Sequence, residues 1–405
     1  FTKFQILNNV QEIITIRSFL LIAITLLIGG IPTSYSIHQK NLSKENFYKI
    51  LFCILALVII IYLTNIIFNQ KSYEYINMIS VFALLTIGTY ELSFGFFKAI
   101  LKIKINLKAS IIRLLSTLTL LYLFSSGILS IDGAANTFLI SISSSCILPI
   151  VFYLYKLKEV DFPYRSQTKT KKLFQSSIPH YINIFCQSLV ANIDRLIIVS
   201  SVIPILLIDY DFILLFLGFL YSFTITPLTQ LIHPTYMRSK DNIKEGRIII
   251  NKLANDLYKT QLKLIFPIIF FIYFLKILGY VTNINPFTFS IITISIFVQS
   301  YIFLSSSTFN FNGKDKIHTL ITLINAILYC SFLKLMIDNF GLVGAAMTRL
   351  IYFINALLIG FLITKTIFSK TSIVDYKNQI LFPIMKISTV IFLFTYLGIT
   401  IINNY

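Results

Sequence analysis

The sequence predicts an all-α, polytopic membrane protein of about twelve transmembrane helices, and three observations predict it. Of its 405 residues, 56% are hydrophobic and only 12% charged, where a soluble domain carries about 25% charge. Twelve segments are long and apolar enough to cross a hydrocarbon core of ~30 Å, which takes ~20 residues. Those segments are continuously apolar rather than alternating, so they read as helices and not as strands of a barrel.

In order, the predicted spans are 13–37, 48–68, 75–98, 108–129, 133–155 and 173–200, then 204–236, 258–280, 285–311, 317–337, 341–364 and 380–402. The connections between them alternate in charge. Basic connections carry Lys40, Lys44 and Lys49, then Lys98 to Lys108, then residues 156–172, 237–263, Lys314 with Lys316, and finally Lys365, Lys370 and Lys377. The connections between these hold almost no base. Together the basic set contains 25 of the 34 Lys and Arg. Basic loops stay on the cytoplasmic side, so residues 1–12 and the C-terminal Asn403–Tyr405 are expected outside. The formal net charge of +18 is then mostly a topology signal, and nucleic acid is not an expected partner.

Two halves of the chain echo one another. Lys102-Ile103-Lys104-Ile105-Asn106 precedes the fourth span as Lys314-Asp315-Lys316-Ile317-His318 precedes the tenth, an offset of 212. Gly133-Ala134-Ala135 and Gly344-Ala345-Ala346 are offset by 211, and Pro32-Thr33 and Pro234-Thr235 by 202. The order and topology agree, which predicts two similarly oriented lobes related by a pseudo-two-fold axis along the membrane normal. The expected division is 1–160 for an N-terminal lobe of five spans, 161–172 for a basic cytoplasmic linker, 173–367 for a six-span C-terminal lobe, and 368–405 for an additional helix. The span 173–200 has no counterpart in the first half, so the first helix of the N-terminal lobe is expected to precede Phe1.

Polar groups inside spans are costly, ~2.5–3.5 kcal/mol for a charge at the centre on insertion scales, so they usually face an interior. His180, Asn183, Gln187 and Asp194 fall on one face of the sixth span, with Pro179 placed to kink it. Ser222, Thr226, Thr229 and His233 repeat the pattern in the seventh, and Gln299, Ser306 and Asn310 form a third polar face. The bland reading is hydrogen-bond glue between helices. Charges weigh more: Glu91, Arg113, Asp194, Arg195 and Arg349. For Arg113 the alternative is snorkelling to the cytoplasmic edge. Asp194-Arg195 can instead sit at the outer interface, and Arg349 and Glu91 can instead belong to structural ion pairs. Lys386 reads as a shallow cytoplasmic anchor.

An interior holding several guanidinium groups suits an anion, because their forked donors match phosphate oxygens. A lipid-linked diphosphate is such an anion, and its tail can stay in the bilayer. In the stretch 237–263, Ile249, Leu253 and Leu257 stand among Arg247, Lys252 and Lys259, which reads either as an interfacial helix near anionic lipid headgroups or as a solvated linker. The sequence holds no phosphate-binding G-x-x-x-x-G-K-[ST] loop. Cys53, Cys146, Cys186 and Cys330 sit in apolar runs without metal or disulfide spacing. No metal, cofactor or catalytic residue is expected.

Ile178-Pro179, the run Asn192-Ile193-Asp194-Arg195-Leu196-Ile197-Ile198, Pro234, Asn312-Gly313-Lys314-Asp315-Lys316 and Asn339-Phe340-Gly341-Leu342-Val343-Gly344-Ala345-Ala346 carry a family resemblance. The chain resembles the Wzx-type O-antigen and polysaccharide flippases of the multidrug/oligosaccharidyl-lipid/polysaccharide exporter superfamily, over about residues 13–367. It departs from them at Ile208-Asp209-Tyr210-Asp211, where the family has a small-residue pattern, and that leaves the outer loop geometry open. The resemblance implies two six-helix lobes around a cationic central cavity, switching between inward- and outward-open states. It implies an undecaprenyl-diphosphate-linked oligosaccharide as substrate, turned from the cytoplasmic to the periplasmic leaflet of the bacterial inner membrane. It also implies a lumen-facing position for Asp194 and Arg195. Membrane lipids, H+ or Na+ acting at Asp194 or Glu91, and a polysaccharide polymerase machinery complete the expected partners.

Two other readings stand beside it. A drug or cation exporter of the same superfamily would prefer an acidic cavity. A membrane-embedded polysaccharide polymerase or acyltransferase would need a sizeable outer loop or a His/Asp constellation, and neither is present.

Overall fold

The computed structural model describes residues 2–32, 43–68, 78–100, 102–126, 128, 133–159, 170–201, 204–224, 243–277, 285–311, 314–367 and 377–403. Within these the chain is helical: α1 (Thr2–Ile28), α2 (Lys44–Phe68), α3 (Met78–Ala99), α4 (Ile103–Ser125), α5 (Ala134–Ser145), α6 (Ile147–Glu159), α7 (Thr170–Ser201), α8 (Pro204–Thr224), α9 (Ile243–Ile277), α10 (Pro286–Phe311), α11 (Asp315–Ile367) and α12 (Phe382–Asn403). A single π turn, Lys377–Leu381, leads into α12. Helices α5 and α6 together fill the fifth predicted span, and α11 holds two, so the elements match an all-α protein of about twelve spans. Thr226, Thr229, His233 and the 161–169 part of the expected linker lie outside the described residues.

The outer faces explain why this chain needs lipid. On α4, Leu107, Ile111, Leu114, Leu118 and Leu121 are each about half exposed or more and recur at helical spacing. On the first arm of α11, Leu320, Ile324, Ile327 and Leu335 do the same. An exposed apolar stripe of that length is stable only where lipid tails cover it. The chain is a multi-pass membrane protein.

The helices divide into two compact units, Phe1–Asn192 and Ile193–Tyr405, with the division inside α7. In the first unit, α3 is the packing centre. Phe96 and Phe97 are fully buried, with Phe47 5.0 Å from Phe96 and Tyr153 stacked 5.0 Å from Phe97, ring to ring. Helices α1 and α7 are joined by polar contacts: Tyr181 donates to the Leu26 carbonyl at 2.6 Å and Thr25 to Ser188 Oγ at 3.0 Å. In the second unit α10 is central, and every residue from Thr288 to Val298 is buried. A helix buried all round has no polar face, so its hydroxyls bond inward. Ser290 donates to Thr395 Oγ1 of α12 at 2.7 Å, and Gln261 of α9 donates to the Phe297 carbonyl at 3.2 Å.

Two elements differ from the sequence reading in ways that matter. The stretch 237–263 reads as a separate cytoplasmic segment, but from Ile243 onward it is one continuous helix with the eighth span, 35 residues long in α9. At 1.5 Å per residue that is about 52 Å, well beyond the hydrocarbon thickness. Helix α11 is a hairpin: Gly341 at φ 57°, ψ −135° reverses the chain, and Tyr329 meets Tyr352 with ring centroids 5.6 Å apart. Those two tyrosines stand nearly equidistant from Gly341, as antiparallel arms require.

The internal repeat is written in backbone hydrogen bonds. Lys102 N–H donates to Phe97 O at 3.0 Å and Asn106 N–H to Lys102 O at 3.3 Å; Lys314 donates to Phe309 at 2.9 Å and His318 to Lys314 at 3.3 Å. The offset is 212 in each case. Thr137 Oγ1 donates to Gly133 O at 3.0 Å as Thr348 Oγ1 donates to Gly344 O at 2.7 Å. The echo therefore extends one turn past the Gly-Ala-Ala motif, to a threonine that the motif alone does not reveal.

Candidate functional site

The predicted residues fall into three settings. In the first unit, Glu91 of α3 and Arg113 of α4 form an ion pair, Nη1 to Oε1 at 3.3 Å, with side chains 41% and 27% exposed. The guanidinium lies over the Tyr90 ring, 4.4 Å from its centroid. Hairpin geometry places the two helices together, because Asn106 at the start of α4 donates to the Phe94 carbonyl at 3.1 Å and accepts from Tyr153 at 3.0 Å. The contact to Glu91 is long, and Tyr90 holds the guanidinium from a second side. Arginine offers five N–H donors, and here one of them meets Glu91.

On α7, His180 and Asn183 are half-buried and Gln187 is exposed. Gln187 donates to Asn183 Oδ1 at 3.2 Å, one turn away on the same helix. The polar face passes from open at Gln187 to fully closed at Asp194, which has no exposure.

The third setting is a buried charge cluster in the second unit. Asp194 Oδ2 accepts from Tyr210 at 2.7 Å and from Arg349 Nη1 at 3.0 Å. Its Oδ1 accepts from the backbone N–H of Arg195 at 2.8 Å. Arg195 in turn pairs through Nε with Asp211 at 2.5 Å. Arg349, Asp194, Arg195 and Asp211 thus run as a chain of alternating charge, all less than a tenth exposed. Asp209 is buried beside them in sequence. The Arg349 guanidinium carbon also lies 5.9 Å from the Phe353 ring centroid. Among the described residues, Arg349 Nε, the Tyr329 hydroxyl and Asn325 Nδ2 are buried without a hydrogen-bond partner.

Burial of this kind is expensive, several kcal/mol per ion even after relaxation, and it is sustained only by close pairing. Tyr210 and Asp211 fall inside the predicted span 204–236 but are not among the predicted site residues, because Ile208 to Asp211 is read there only as a departure from the family pattern. Helix α8 begins at Pro204, which is well suited to a first helical position, so the motif lies in the second turn of a helix. The signal that finds them is two carboxylates and a tyrosine within an otherwise apolar stretch. Among the described residues, no group of three or more His, Cys, Asp or Glu is placed to hold a metal ion.

The fold is that of transporters. A lipid II flippase, MurJ, in an inward closed conformation superposes with a TM-score of 0.63 at 12% identity, covering 98% of this chain and 96% of its own. An outward-facing multidrug resistance MATE family transporter of the MOP superfamily gives 0.64 at 12% identity over 91% and 92% of the two chains. The Vibrio cholerae MATE transporter VcmN in its bent form gives 0.57 at 14%, over 88% and 86%. No sequence-family profile and no curated protein matches the chain. At these identities the likeness is one of fold.

Proposed function

We propose that the protein is a flippase that moves an undecaprenyl-diphosphate-linked oligosaccharide, an O-antigen or polysaccharide repeat unit, from the cytoplasmic to the periplasmic leaflet of a bacterial inner membrane. The observation that supports this reading is Arg113: a guanidinium inside the membrane helices, 27% exposed, paired with Glu91 at 3.3 Å and resting on Tyr90, in a fold shared along 98% of the chain with a lipid II flippase. A diphosphate arriving at Arg113 can take up the donors that Glu91 leaves unused and compete for the one it holds. Arg195 and Arg349 are committed to buried carboxylates, so in this reading they hold the second unit's helices together and do not grip substrate. A ligand drives a switch between two states only through its different affinity for them. Such a difference follows in this reading when the Glu91–Arg113 pair is kept in one state and opened in the other. Coupling to H+ or Na+ would act more readily at Glu91, which is 41% exposed, than at Asp194, which is sealed. No covalent chemistry is involved, and a polysaccharide polymerase would take the product.

One observation favours a second reading, export of cationic compounds. Among the described residues, the buried charges of the second unit are three carboxylates, Asp194, Asp209 and Asp211, against two arginines, Arg195 and Arg349, an acidic balance. A host deleted for its own flippase separates the two readings. Restored surface polysaccharide that is lost again in Arg113→Ala, at unchanged protein level, supports the first. Unrestored polysaccharide together with raised resistance to cationic drugs replaces it with the second.

A further inference from the structure

The starts of α9 and α12 enclose a pocket that the transport reading leaves unused. Both helices run in the same direction. Tyr258 and Phe382 line the pocket at one level, while farther along the Tyr273 hydroxyl donates to the Thr395 carbonyl at 2.9 Å. Both approach from connections rich in Lys and Arg, which is the cytoplasmic side by charge. The pocket has a volume of about 300 Å³.

Its polar wall is Asn251, Asn255, Tyr258, Asn378, Gln379 and Lys386. Phe382 and Pro383 supply an apolar floor, and the Lys386 ammonium is held 5.7 Å from the Phe382 ring centroid. Among the described residues, no carboxylate lines it. The polar lining is therefore one ammonium, four carboxamides and a phenol; the ammonium and the amide and phenol N–H and O–H groups can donate to phosphate oxygens, and the ammonium disfavours a cation. Three further features point the same way. Lys252, Lys259 and Lys377 stand on the same two starts, adding positive potential that falls off within a Debye length. The π turn Lys377–Leu381 forms one wall, and such turns are frequent at functional sites. On the adjacent turn of α9, Ile248 is 69% exposed, where a membrane headgroup region would cover it.

We propose that this pocket binds the phosphate of an anionic phospholipid headgroup from the cytoplasmic leaflet, with Lys386 as the charged contact and the glycerol side resting on Phe382. Site occupancy would tie the start of α12 to α9, independently of what the protein transports.

The test uses the full chain purified in a neutral detergent. Its melting temperature is followed while short-chain phosphatidylglycerol, short-chain phosphatidylcholine or inorganic phosphate is added. Phosphatidylglycerol is expected to raise the melting temperature saturably, with phosphatidylcholine far less effective. Lys386→Gln is expected to weaken half-saturation by roughly tenfold, the equivalent of one charge-assisted contact. Asn255→Leu, on the opposite wall, should also weaken it. Lys314→Gln, on a different basic connection, should leave it unchanged. A shift with inorganic phosphate alone, lost in Lys386→Gln, keeps the phosphate site and assigns it to a free anion, overturning the lipid as its source. Equal shifts with both lipids, or an unchanged response in Lys386→Gln with a normal gel-filtration profile, overturn the proposal. If Lys386→Gln fails to purify, the Asn255→Leu titration decides by the same criterion.

Discussion

Arg349 Nη1 lies 3.0 Å from Asp194 Oδ2, a contact between residues 155 positions apart, and neither side chain reaches a tenth of its possible exposure. The pair ties the end of α7 to the second arm of the α11 hairpin. Tyr210 binds the same carboxylate oxygen from α8. Three chain segments therefore converge on one buried carboxylate.

Removing one member of such a pair leaves an uncompensated charge. Arg349→Met alone should destabilise the protein by about 3–5 kcal/mol, and Asp194→Leu alone by a similar amount. The double variant should recover most of the loss, since both charges are then gone. Melting temperatures of the four proteins in one detergent form the cycle that checks this, and additive losses would show that the two groups do not interact.

Tyr210→Phe deletes one hydrogen bond to the ionised group and nothing else. The expected loss is about 1.5–3 kcal/mol, which should appear as a lower melting temperature. Tyr329→Phe removes a hydroxyl that has no partner and should be neutral or slightly stabilising. The contrast between the two tyrosines is the readout.

The Glu91–Arg113 pair is less enclosed, with side chains 41% and 27% exposed. Arg113→Ala should therefore cost less stability than Arg349→Met and still yield folded protein. Its expected deficit is in transport, seen as lost surface polysaccharide in a complemented host. Arg113→Lys retains the charge without the fork and should recover only part of the activity.

The α11 hairpin depends on a backbone conformation that L residues rarely adopt, at Gly341. Gly341→Ala should cost about 1–3 kcal/mol. Gly344→Ala should cost more than Gly341→Ala, because its new methyl would meet the Met336 carbonyl of the opposing arm, and backbone cannot step aside as a side chain can. Yield of folded protein by gel filtration ranks the two.

Orientation is open to chemical labelling in a cysteine-free background. Lys104→Cys and Lys316→Cys should react with an impermeant maleimide only after the inner face is exposed, whereas Asn9→Cys should react in intact spheroplasts. The opposite pattern would reverse the topology.

Span count, helix type and the internal echo were legible in the sequence because each depends on the local chain: hydropathy summed over about twenty residues, a basic loop, a Gly-Ala-Ala motif. At Gly341 only the break between the spans 317–337 and 341–364 was legible; that the chain reverses there on a positive φ is seen in the structure. The continuity of α9 was not, because nothing in the run from Arg247 to Lys263 stops a helix, and its charges read as a loop. Arg113, Arg195 and Arg349 looked equivalent as lone cations in apolar runs. Whether each keeps its donors for a ligand or spends them on a carboxylate depends on a partner in another helix, 22 residues away for Glu91, 16 for Asp211 and 155 for Asp194. Electrostatic pairing acts through space at a few ångströms, so only the packing of the helices decided which carboxylate each guanidinium met and how deeply the pair is buried.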